Sequence, residues 1–357
     1  MAKIDLSNIS HTYNPSDPNP TYALNPFSMT WENGKRYAIL GPSGCGKTTM
    51  LNIVSGLVQP SKGKVLFDDR DVTDLKTEKR NISQVFQFPV IYNTMTVYDN
   101  LAFPLKCRDF KKDKIDERVK SVSDTLNLSD FLNFPARKLT ADQKQLISLG
   151  RGLVREDVAA VLMDEPLTVI DPDLKFRLRR NLKEINEQYK TTLIYVTHDQ
   201  NEAMTFADNI IVMDQGEIVQ IGLPKELFEK PKTTFVGYFI GSPAMNIFES
   251  EVISDFEVKI GNLKFKTNSN LSKIKNKKVK LGIRSEFIKI GDNQKENLIS
   301  VNLDRVEDFG NFKLITAKMD GKVVKSKVDR ERPISNEALN FYFPPEKCCI
   351  YKDEKLV

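Results

Sequence analysis

The residues best suited to chemistry form a glycine-rich run near the start of the chain. Gly41, Pro42, Ser43, Gly44, Cys45, Gly46, Lys47 and Thr48 match the pattern G-x-x-x-x-G-K-[ST]. Such glycines let successive backbone N–H groups point inward around an anion, and a helix that begins at the loop adds free N–H donors. Lys47 supplies a positive charge for the β- and γ-phosphates, and Thr48 supplies a hydroxyl for Mg²⁺. The pattern predicts a nucleoside triphosphate site, since a plain glycine-rich turn does not explain Lys47 and Thr48.

Two neighbouring carboxylates follow an apolar run in the middle of the chain. Residues 158–163 are apolar and lead directly into Asp164 and Glu165. At the end of a strand beside a phosphate-binding loop, we expect Asp164 to bind Mg²⁺ directly or through water and Glu165 to polarise an attacking water molecule. The alternative is an exposed acidic turn at a strand end, which the glycine-rich loop in the same chain makes less favoured.

Three further side chains could act at such a site. His198 follows the apolar run 192–196, and Gln87 follows a shorter one. Read alone, the first would be a satisfied structural histidine and the second a surface amide. Cys45 lies where a helix N-terminus favours a thiolate, and the alternative interpretation is a small buried residue that does not react. His11 is the only other histidine, so a histidine-based metal site is nearly excluded.

Short apolar runs separated by helical patterns must position these residues. The runs cover residues 37–40, 158–163, 192–196 and 210–213. Their continuous apolar character is typical of strands buried on both faces of a parallel sheet. Asp171-Pro172 is a good helix start. Residues 88–153 are mostly helical in pattern, and their charged run 111–120 is interpreted as a solvated helix face. An α/β layered fold with a helical insertion is therefore predicted.

The pattern changes after Gly241-Ser242-Pro243, where apolar and polar residues alternate. One hairpin is predicted to turn at Gly261-Asn262 and another at Asp320-Gly321. The end of the chain is thus predicted to form a small all-β domain. Its basic cluster is interpreted as solvated lysines of an edge strand, with phosphate binding as the less favoured alternative. The cluster consists of Lys273, Lys275, Lys277, Lys278 and Lys280.

Composition excludes several classes of protein. The 357 residues carry a net charge of +5, which indicates no nucleic-acid binding unless the basic residues cluster. A hydrophobic content of 40% excludes a disordered chain. No apolar run approaches the ~18 residues of a membrane span, and no secretory signal is expected. Four cysteines without disulfide-like spacing favour a reduced, cytoplasmic protein, attached to a membrane only through a partner.

The order and spacing of these motifs resemble the ATP-binding subunit of an ABC transporter over nearly the whole chain. The resemblance implies that ATP and Mg²⁺ bind at the glycine-rich loop, which it extends to Thr49. Tyr13 resembles the aromatic residue that stacks on adenine, with Tyr22 as a competitor. The remaining assignments are Gln87 as the Q-loop glutamine, Asp164 and Glu165 as the Walker B pair, Asp171 as the D-loop aspartate and His198 as the switch histidine that holds the γ-phosphate. The Mg²⁺ ligands would be Thr48, Gln87 and Asp164.

Longer segments narrow the resemblance. Residues 95–105, 197–205 and 239–246 are similar to importers of the carbohydrate class, and residues 84–105 and 139–172 resemble the glycerol-uptake ATPases most closely. The resemblance implies an ABC ATPase domain over residues 1–240, with a helical subdomain at about 88–153. A small β-domain of the TOBE or OB-like type, with a regulatory role, is implied over residues 241–357.

The function implied is ATP hydrolysis coupled to uptake of a sugar or polyol, with glycerol or glycerol phosphate favoured. Such a subunit would dock on transmembrane permease subunits at the cytoplasmic face of the membrane. It would pair with a second ATPase subunit and receive cargo from an extracytoplasmic substrate-binding protein. A soluble ABC ATPase with no transport role is a rival, although these usually carry two cassettes or a long coiled coil.

One departure from the family concerns the signature loop, which normally reads Leu-Ser-Gly-Gly-Gln and acts on the partner's ATP. Here the loop reads Leu139-Thr140-Ala141-Asp142-Gln143, and Leu146 stands where an arginine is expected. Both glycines are replaced, one of them by an acid. Homodimer and heterodimer therefore both stay open, as does a catalytically impaired subunit with a mainly structural role.

Overall fold

The computed structural model describes residues 2–291, 296–334 and 339–357. Contacts within the chain divide it into two compact units, Met1–Pro224 and Lys225–Val357. Among the described residues, no helix combines the length and the apolar composition of a membrane span.

An antiparallel sheet begins the first unit, with the strand order β2-β1-β4-β5. Its strands are β1 (Ile4–His11), β2 (Leu24–Trp31), β4 (Lys62–Phe67) and β5 (Arg70–Asp71). Buried residues of β1, such as Ile4 and Leu6, share one apolar cluster with Leu51 and Val54 of the first helix. This cluster supports the helix that follows the glycine-rich loop.

The second sheet of this unit has six strands in the order β10-β9-β3-β8-β7-β6. They are β3 (Arg36–Leu40), β6 (Ser83–Val85), β7 (Val161–Asp164), β8 (Leu193–Thr197), β9 (Asn209–Asp214) and β10 (Glu217–Gly222). All neighbours are parallel except β9 and β10. The predicted parallel sheet is confirmed. Because β3, β8 and β7 are adjacent, the residues that follow them meet at one edge of the sheet.

Six helices accompany these sheets. They are α1 (Lys47–Ser55), α2 (Val97–Lys106), α3 (Lys112–Thr125), α4 (Ala141–Leu153), α5 (Pro172–Tyr189) and α6 (Gln200–Phe206). Residues of α2, α3 and α4 share a second apolar cluster with α5 and the parallel sheet. The predicted start of α5 is confirmed, since the Asp171 side chain accepts hydrogen bonds from the N–H groups of Asp173 and Leu174.

The described residues of the second unit form two β-sheets and two short α-helices. The helices are α7 (Pro224–Glu229), which begins at the last residue of the first unit, and α8 (Thr234–Phe239). The first sheet consists of β11 (Asn246–Ser254), β12 (Glu257–Ile260), β13 (Leu263–Lys266), β14 (Lys278–Ile283), β20 (Cys349–Lys352) and β21 (Lys355–Leu356). The second consists of β15 (Lys289–Ile290), β16 (Leu298–Asp308), β17 (Phe312–Met319), β18 (Lys322–Asp329) and β19 (Leu339–Tyr342). Both predicted hairpins are confirmed, and their turns touch, because Asn262 N–H donates to Asp320 Oδ2 over 2.9 Å.

The edge-strand interpretation of the lysine cluster is wrong. Strand β14, which carries Lys278 and Lys280, lies between β11 and β20 in the interior of its sheet. Lys280 pairs with Glu354 and lies 3.7 Å from a carboxylate oxygen of Glu249. An interior antiparallel strand with one solvated face alternates in the same way as an edge strand, so the sequence pattern did not distinguish them.

Residues 225–240 group with the β-strands by their contacts, although the sequence pattern changes only after residue 241. One contribution comes from the fully buried guanidinium of Arg284, which donates to the backbone carbonyls of Phe228 and Gly237 over 2.9 and 2.8 Å, and also to that of Ile240. Burial lowers the pKa of Arg284 to about 10.

Candidate nucleotide site

A cavity of about 610 Å³ in the first unit brings most of the predicted site residues together. This volume lies in the range of ordinary ligand pockets. The lining consists of Tyr13, Ala23, Ser43, Gly44, Gly46, Lys47, Thr48, Thr49, Gln87, Glu165 and His198. Residues of the glycine-rich loop and the residues that directly follow β7 and β8, Glu165 and His198, therefore face one space, as the sheet order requires.

The backbone of the loop requires glycine at two of its positions. Gly46 has φ of +100°, and a Cβ there would lie 2.5 Å from the carbonyl oxygen of Ala23. A Cβ at Gly41 would lie 2.3 Å from the carbonyl oxygen of Met213. Both approaches are shorter than real side chains tolerate, so the loop fits only without these Cβ atoms. The predicted order of strand, loop and helix is confirmed by β3 and α1.

The Lys47 side chain lies over the loop that precedes it. Its Nζ donates to the carbonyl oxygens of Gly41 and Pro42, each over 2.8 Å, and the residue is buried. Phosphate oxygens would form stronger, charge-assisted bonds with this ammonium group than neutral carbonyls do. The position suits a lysine that binds phosphates.

Of the two interpretations of Cys45, the thiolate is wrong and the small buried residue agrees with the structure. The side chain is buried, and this burial raises the pKa of the thiol, while the charge of Lys47 acts in the opposite direction. Loss of hydration penalises the charged thiolate more than the nearby lysine and helix N-terminus favour it. Cys45 is thus a small neutral side chain packed beneath the loop.

Asp164 ends β7 as a buried carboxylate. Burial raises its pKa, with the charge of Glu165 acting in the same direction, while a hydrogen bond from Thr48 and the charge of Lys47 lower it. A buried carboxylate beside a hydroxyl provides the hard oxygen ligands that Mg²⁺ prefers. These two residues fit the predicted metal site, because a cation would relieve the unfavourable burial of the carboxylate charge.

Glu165 is the point where the remaining side chains of the site meet. Its Oε2 lies 3.0 Å from Nδ1 of His198, 3.3 Å from Nε2 of Gln87 and 3.4 Å from Oγ1 of Thr168. The backbone N–H of Glu165 donates to the carbonyl of Val196 in β8 over 3.0 Å. The residue adopts φ of +45°, which is uncommon outside glycine.

The structure separates the two candidates for stacking on adenine. The Tyr13 ring lines the cavity, its hydroxyl lies 3.1 Å from Oγ1 of Thr49, and 60% of the residue is exposed. An edge-to-face contact with His11, at 4.6 Å between ring centroids, orients the ring. Tyr22 is outside the cavity lining, although its neighbour Ala23 is part of it. Tyr13 is therefore the better placed of the two.

The signature-loop residues lie outside this cavity lining, at the start of α4. Thr140 caps the helix, because its Oγ1 accepts from the N–H of Gln143 and its own N–H donates to Oε1 of Gln143. The Thr140 hydroxyl also hydrogen-bonds the Asp142 carboxylate, and this bond lowers the pKa of Asp142. Ala141 is the exposed first residue of the helix. The loop thus presents an ionised carboxylate.

Sequence reasoning missed two residues that touch this machinery. The Thr168 hydroxyl donates to the backbone carbonyl of Glu165 over 3.0 Å. Gln145 is completely buried on α4 and contacts the segments that carry Gln87 and Glu165. No spacing rule marks a single threonine or glutamine, so only the fold reveals these contacts.

Known proteins are similar to this chain in both sequence and fold. The family model for ABC transporters matches residues 24–168. The trehalose/maltose import ATP-binding protein MalK of Thermococcus litoralis is 38% identical over 84% of this chain and 85% of its own length. The sn-glycerol-3-phosphate import ATP-binding protein UgpC of Escherichia coli is 36% identical over 94% of each chain.

A solved structure of a dimeric ATP-binding cassette in a post-hydrolysis state, bound to ADP and Pi, is also similar. It is 28% identical with a TM-score of 0.56, over 62% of this chain and 98% of the other. The glycine-rich loop and the two carboxylates after β7 lie within residues 24–168, which the family model matches. This chain belongs to the family of ATP-binding proteins of ABC transporters.

Proposed function

We propose that this chain is the ATP-hydrolysing subunit of an ABC importer for a sugar or a polyol, with glycerol or glycerol phosphate as the favoured cargo. The names of its relatives support this class of cargo, because they import trehalose and maltose or sn-glycerol-3-phosphate. The resemblance of residues 95–105 to importers of the carbohydrate class also supports this proposal.

The observation that carries the hydrolytic role is the position of Glu165 across from the phosphate loop. Its carboxylate lies in the same cavity as Lys47 and Thr48 and is oriented by His198 and Gln87. In the proposed reaction Lys47 and the loop amides stabilise phosphate charge, and Glu165 orients a water molecule and accepts its proton. His198 and Gln87 respond to the γ-phosphate.

Thr48, Asp164 and Gln87 would hold Mg²⁺, which neutralises charge on the β- and γ-phosphates when bound. Tyr13 would stack on the adenine ring, and residues 41–49 would surround the phosphates. The burial of Asp164 beside Thr48 supports the first of these assignments, and the exposed ring of Tyr13 at the cavity supports the second.

The proposed partners are transmembrane permease subunits, a second ATPase subunit and an extracytoplasmic substrate-binding protein. The chain would act at the cytoplasmic face of the membrane. In this assembly ATP closes two ATPase subunits together, hydrolysis reopens them, and the helical part of the first unit transmits the movement to the permease.

A catalytically impaired subunit of a heterodimer is the second candidate, and a specific observation favours it. The Asp142 carboxylate is ionised and bonded to Thr140 at the helix start that would face the partner's ATP. Such a loop would repel phosphate. In this candidate the chain would still bind ATP at its own loop, and a different partner would complete its site.

The test is to purify the chain together with its permease subunits and to reconstitute this complex in liposomes. We expect ATP-dependent accumulation of radiolabelled glycerol, sn-glycerol-3-phosphate or maltose, abolished by Glu165→Gln. Transport that persists in this variant would contradict the hydrolytic role. ATPase activity without permease partners, in a pool bound to ribosomes or DNA, would contradict the transport role.

A further inference from the structure

Gln145 connects helix α4 to the two segments that carry the reacting groups of the site. The residue is completely buried. Its Nε2 donates to the carbonyl oxygen of Pro166 over 2.9 Å and to that of Phe86 over 3.3 Å. Pro166 directly follows Glu165, and Phe86 directly precedes Gln87. One amide group thus bonds to the neighbours of two proposed site residues.

The chemistry of these contacts fixes the orientation of the amide. Both neighbours are carbonyl oxygens, so only the NH₂ end of Gln145 can face them, because a carbonyl accepts and never donates. The Oε1 atom has no hydrogen-bond partner within the described residues. The polar contribution of this side chain therefore rests on its two N–H donors.

We infer that Gln145 is a positioning residue for ATP hydrolysis, which holds Gln87 and Glu165 at a fixed spacing from each other and from α4. This inference rests on the proposed function. The side chains of Gln87 and Glu165 are themselves in contact, with Nε2 of Gln87 3.3 Å from Oε2 of Glu165. Because Thr140 of the signature loop caps α4, movement of this loop reaches the carboxylate of Glu165 through Gln145.

Packing alone would not need an amide at this position. A methionine fills nearly the same volume, but it leaves the carbonyls of Pro166 and Phe86 without a donor. The two segments are then free to separate by fractions of an ångström. Misplacement by about 1 Å costs on the order of 10²-fold in rate when a reaction depends on orientation.

The test compares Gln145→Met with wild type in the full-length chain, assembled with its permease. We expect kcat for ATP to fall by about 10-fold or more, while KM changes by less than about 2-fold, because the residues lining the phosphate loop are untouched. A role in packing alone would lower thermal stability and leave kcat of the folded fraction unchanged.

Asn186→Leu is the matched control. Asn186 is also a buried amide that donates to two backbone carbonyls, of Gly34 over 3.0 Å and of Thr191 over 2.6 Å, at the far end of α5. We expect this variant to lose stability and to keep the wild-type kcat. An equal loss of kcat in both variants would overturn the positioning role.

A double variant separates positioning from a general effect. In a Gln87→Ala background, we expect Gln145→Met to lower kcat by much less than it does alone, since part of its effect is transmitted through Gln87. If the fold-loss of kcat in the double variant equals the product of the losses in the two single variants, the inference is overturned. If Gln145→Met does not fold, Gln145→Asn, which withdraws the amide by one methylene, must lower kcat with KM unchanged.

Failure of the inference and failure of the proposed function have different signatures. If Gln145→Met hydrolyses ATP at the wild-type rate while Glu165→Gln is inactive, the positioning role is wrong and the ATPase function stands. If Glu165→Gln hydrolyses ATP as fast as wild type, both the proposed function and the positioning role are wrong.

Discussion

Oε2 of Glu165 and Nδ1 of His198 lie 3.0 Å apart, at the ends of the neighbouring parallel strands β7 and β8. Gln87 and Thr168 approach the same oxygen of Glu165. Because these contacts share one carboxylate oxygen, the other is the one we expect to meet an attacking water molecule. The geometry follows from strand order, since adjacent parallel strands deliver their last residues to the same edge.

Removal of the Lys47 charge should weaken nucleotide binding. We expect Lys47→Ala to lower the affinity for ATP by at least ~1.5 kcal/mol, the low end for a charged hydrogen bond, or about tenfold in Kd. Fluorescent nucleotide titration measures this change. Lys62→Ala, an exposed lysine on β4, is the control and should bind as wild type does. An unchanged titration of Lys47→Ala would refute the assignment of the phosphate loop.

Asp164→Asn should stabilise the nucleotide-free chain at neutral pH. The folded-state pKa of Asp164 is raised by burial, so its ionised form disfavours folding at pH values above that pKa. Asparagine removes the charge and still accepts the hydrogen bond from Thr48. At pH 7.5 we expect the melting temperature to rise by about 2–4 °C for each kcal/mol by which the substitution increases the free energy of unfolding.

This gain should shrink as the pH falls through the raised pKa of Asp164, and it should vanish below the ordinary aspartate pKa. Under those conditions the wild-type carboxyl is protonated in both the folded and the unfolded states. Melting curves between pH 7.5 and pH 4 measure the trend. A gain that stays constant with pH, or a loss of stability at pH 7.5, would contradict the assignment of a buried carboxylate.

The cysteines should react in order of their exposure. Cys107 is exposed, whereas Cys45 is buried with a raised pKa. We expect a maleimide to label Cys107 quickly and Cys45 slowly, with or without MgATP, because the thiolate is the reactive form. Peptide mapping after timed labelling distinguishes the two sites, and Cys107→Ser provides the background. Rapid labelling of Cys45 that MgATP prevents would restore the thiolate hypothesis.

The signature loop should limit a homodimer of this chain. A carboxylate ~5 Å from a phosphate repels it by about 3 kcal/mol per charge pair at an effective dielectric near 20, before Mg²⁺ and salt reduce the effect. We expect Ala141→Gly/Asp142→Gly to raise the ATPase rate of the homodimer several-fold. Asp142→Asn, which removes only the charge, should recover part of this gain. A high ATPase rate of the wild-type homodimer that the double substitution does not raise would contradict the heterodimer hypothesis.

Much of the fold and of the site could be predicted because it depends on local patterns. The glycine-rich loop, the apolar runs and the two hairpin turns each combine residue type with spacing, and the structure reproduces them. The carboxylates after β7 were predictable for the same reason, since a strand end beside a phosphate loop has few alternatives.

Features that depend on contacts between distant segments could not be predicted. The burial that raises the pKa of Cys45 comes from packing around the loop, whereas its sequence neighbours favour a thiolate. The interior position of β14 depends on β20, which lies near the end of the chain. The two carbonyls that Gln145 binds belong to separate segments, at Phe86 and Pro166. None of these contacts leaves a periodic pattern or a motif in the sequence.

The most direct test of the central claim is the single-turnover rate of ATP hydrolysis by Glu165→Gln in the assembled transporter. Glutamine keeps the shape of the side chain but cannot accept the proton of water. We expect ATP to bind with wild-type affinity, hydrolysis to slow by ~10² or more, and a closed ATP-bound dimer to accumulate. Hydrolysis at the wild-type rate would show that Glu165 is not the catalytic carboxylate.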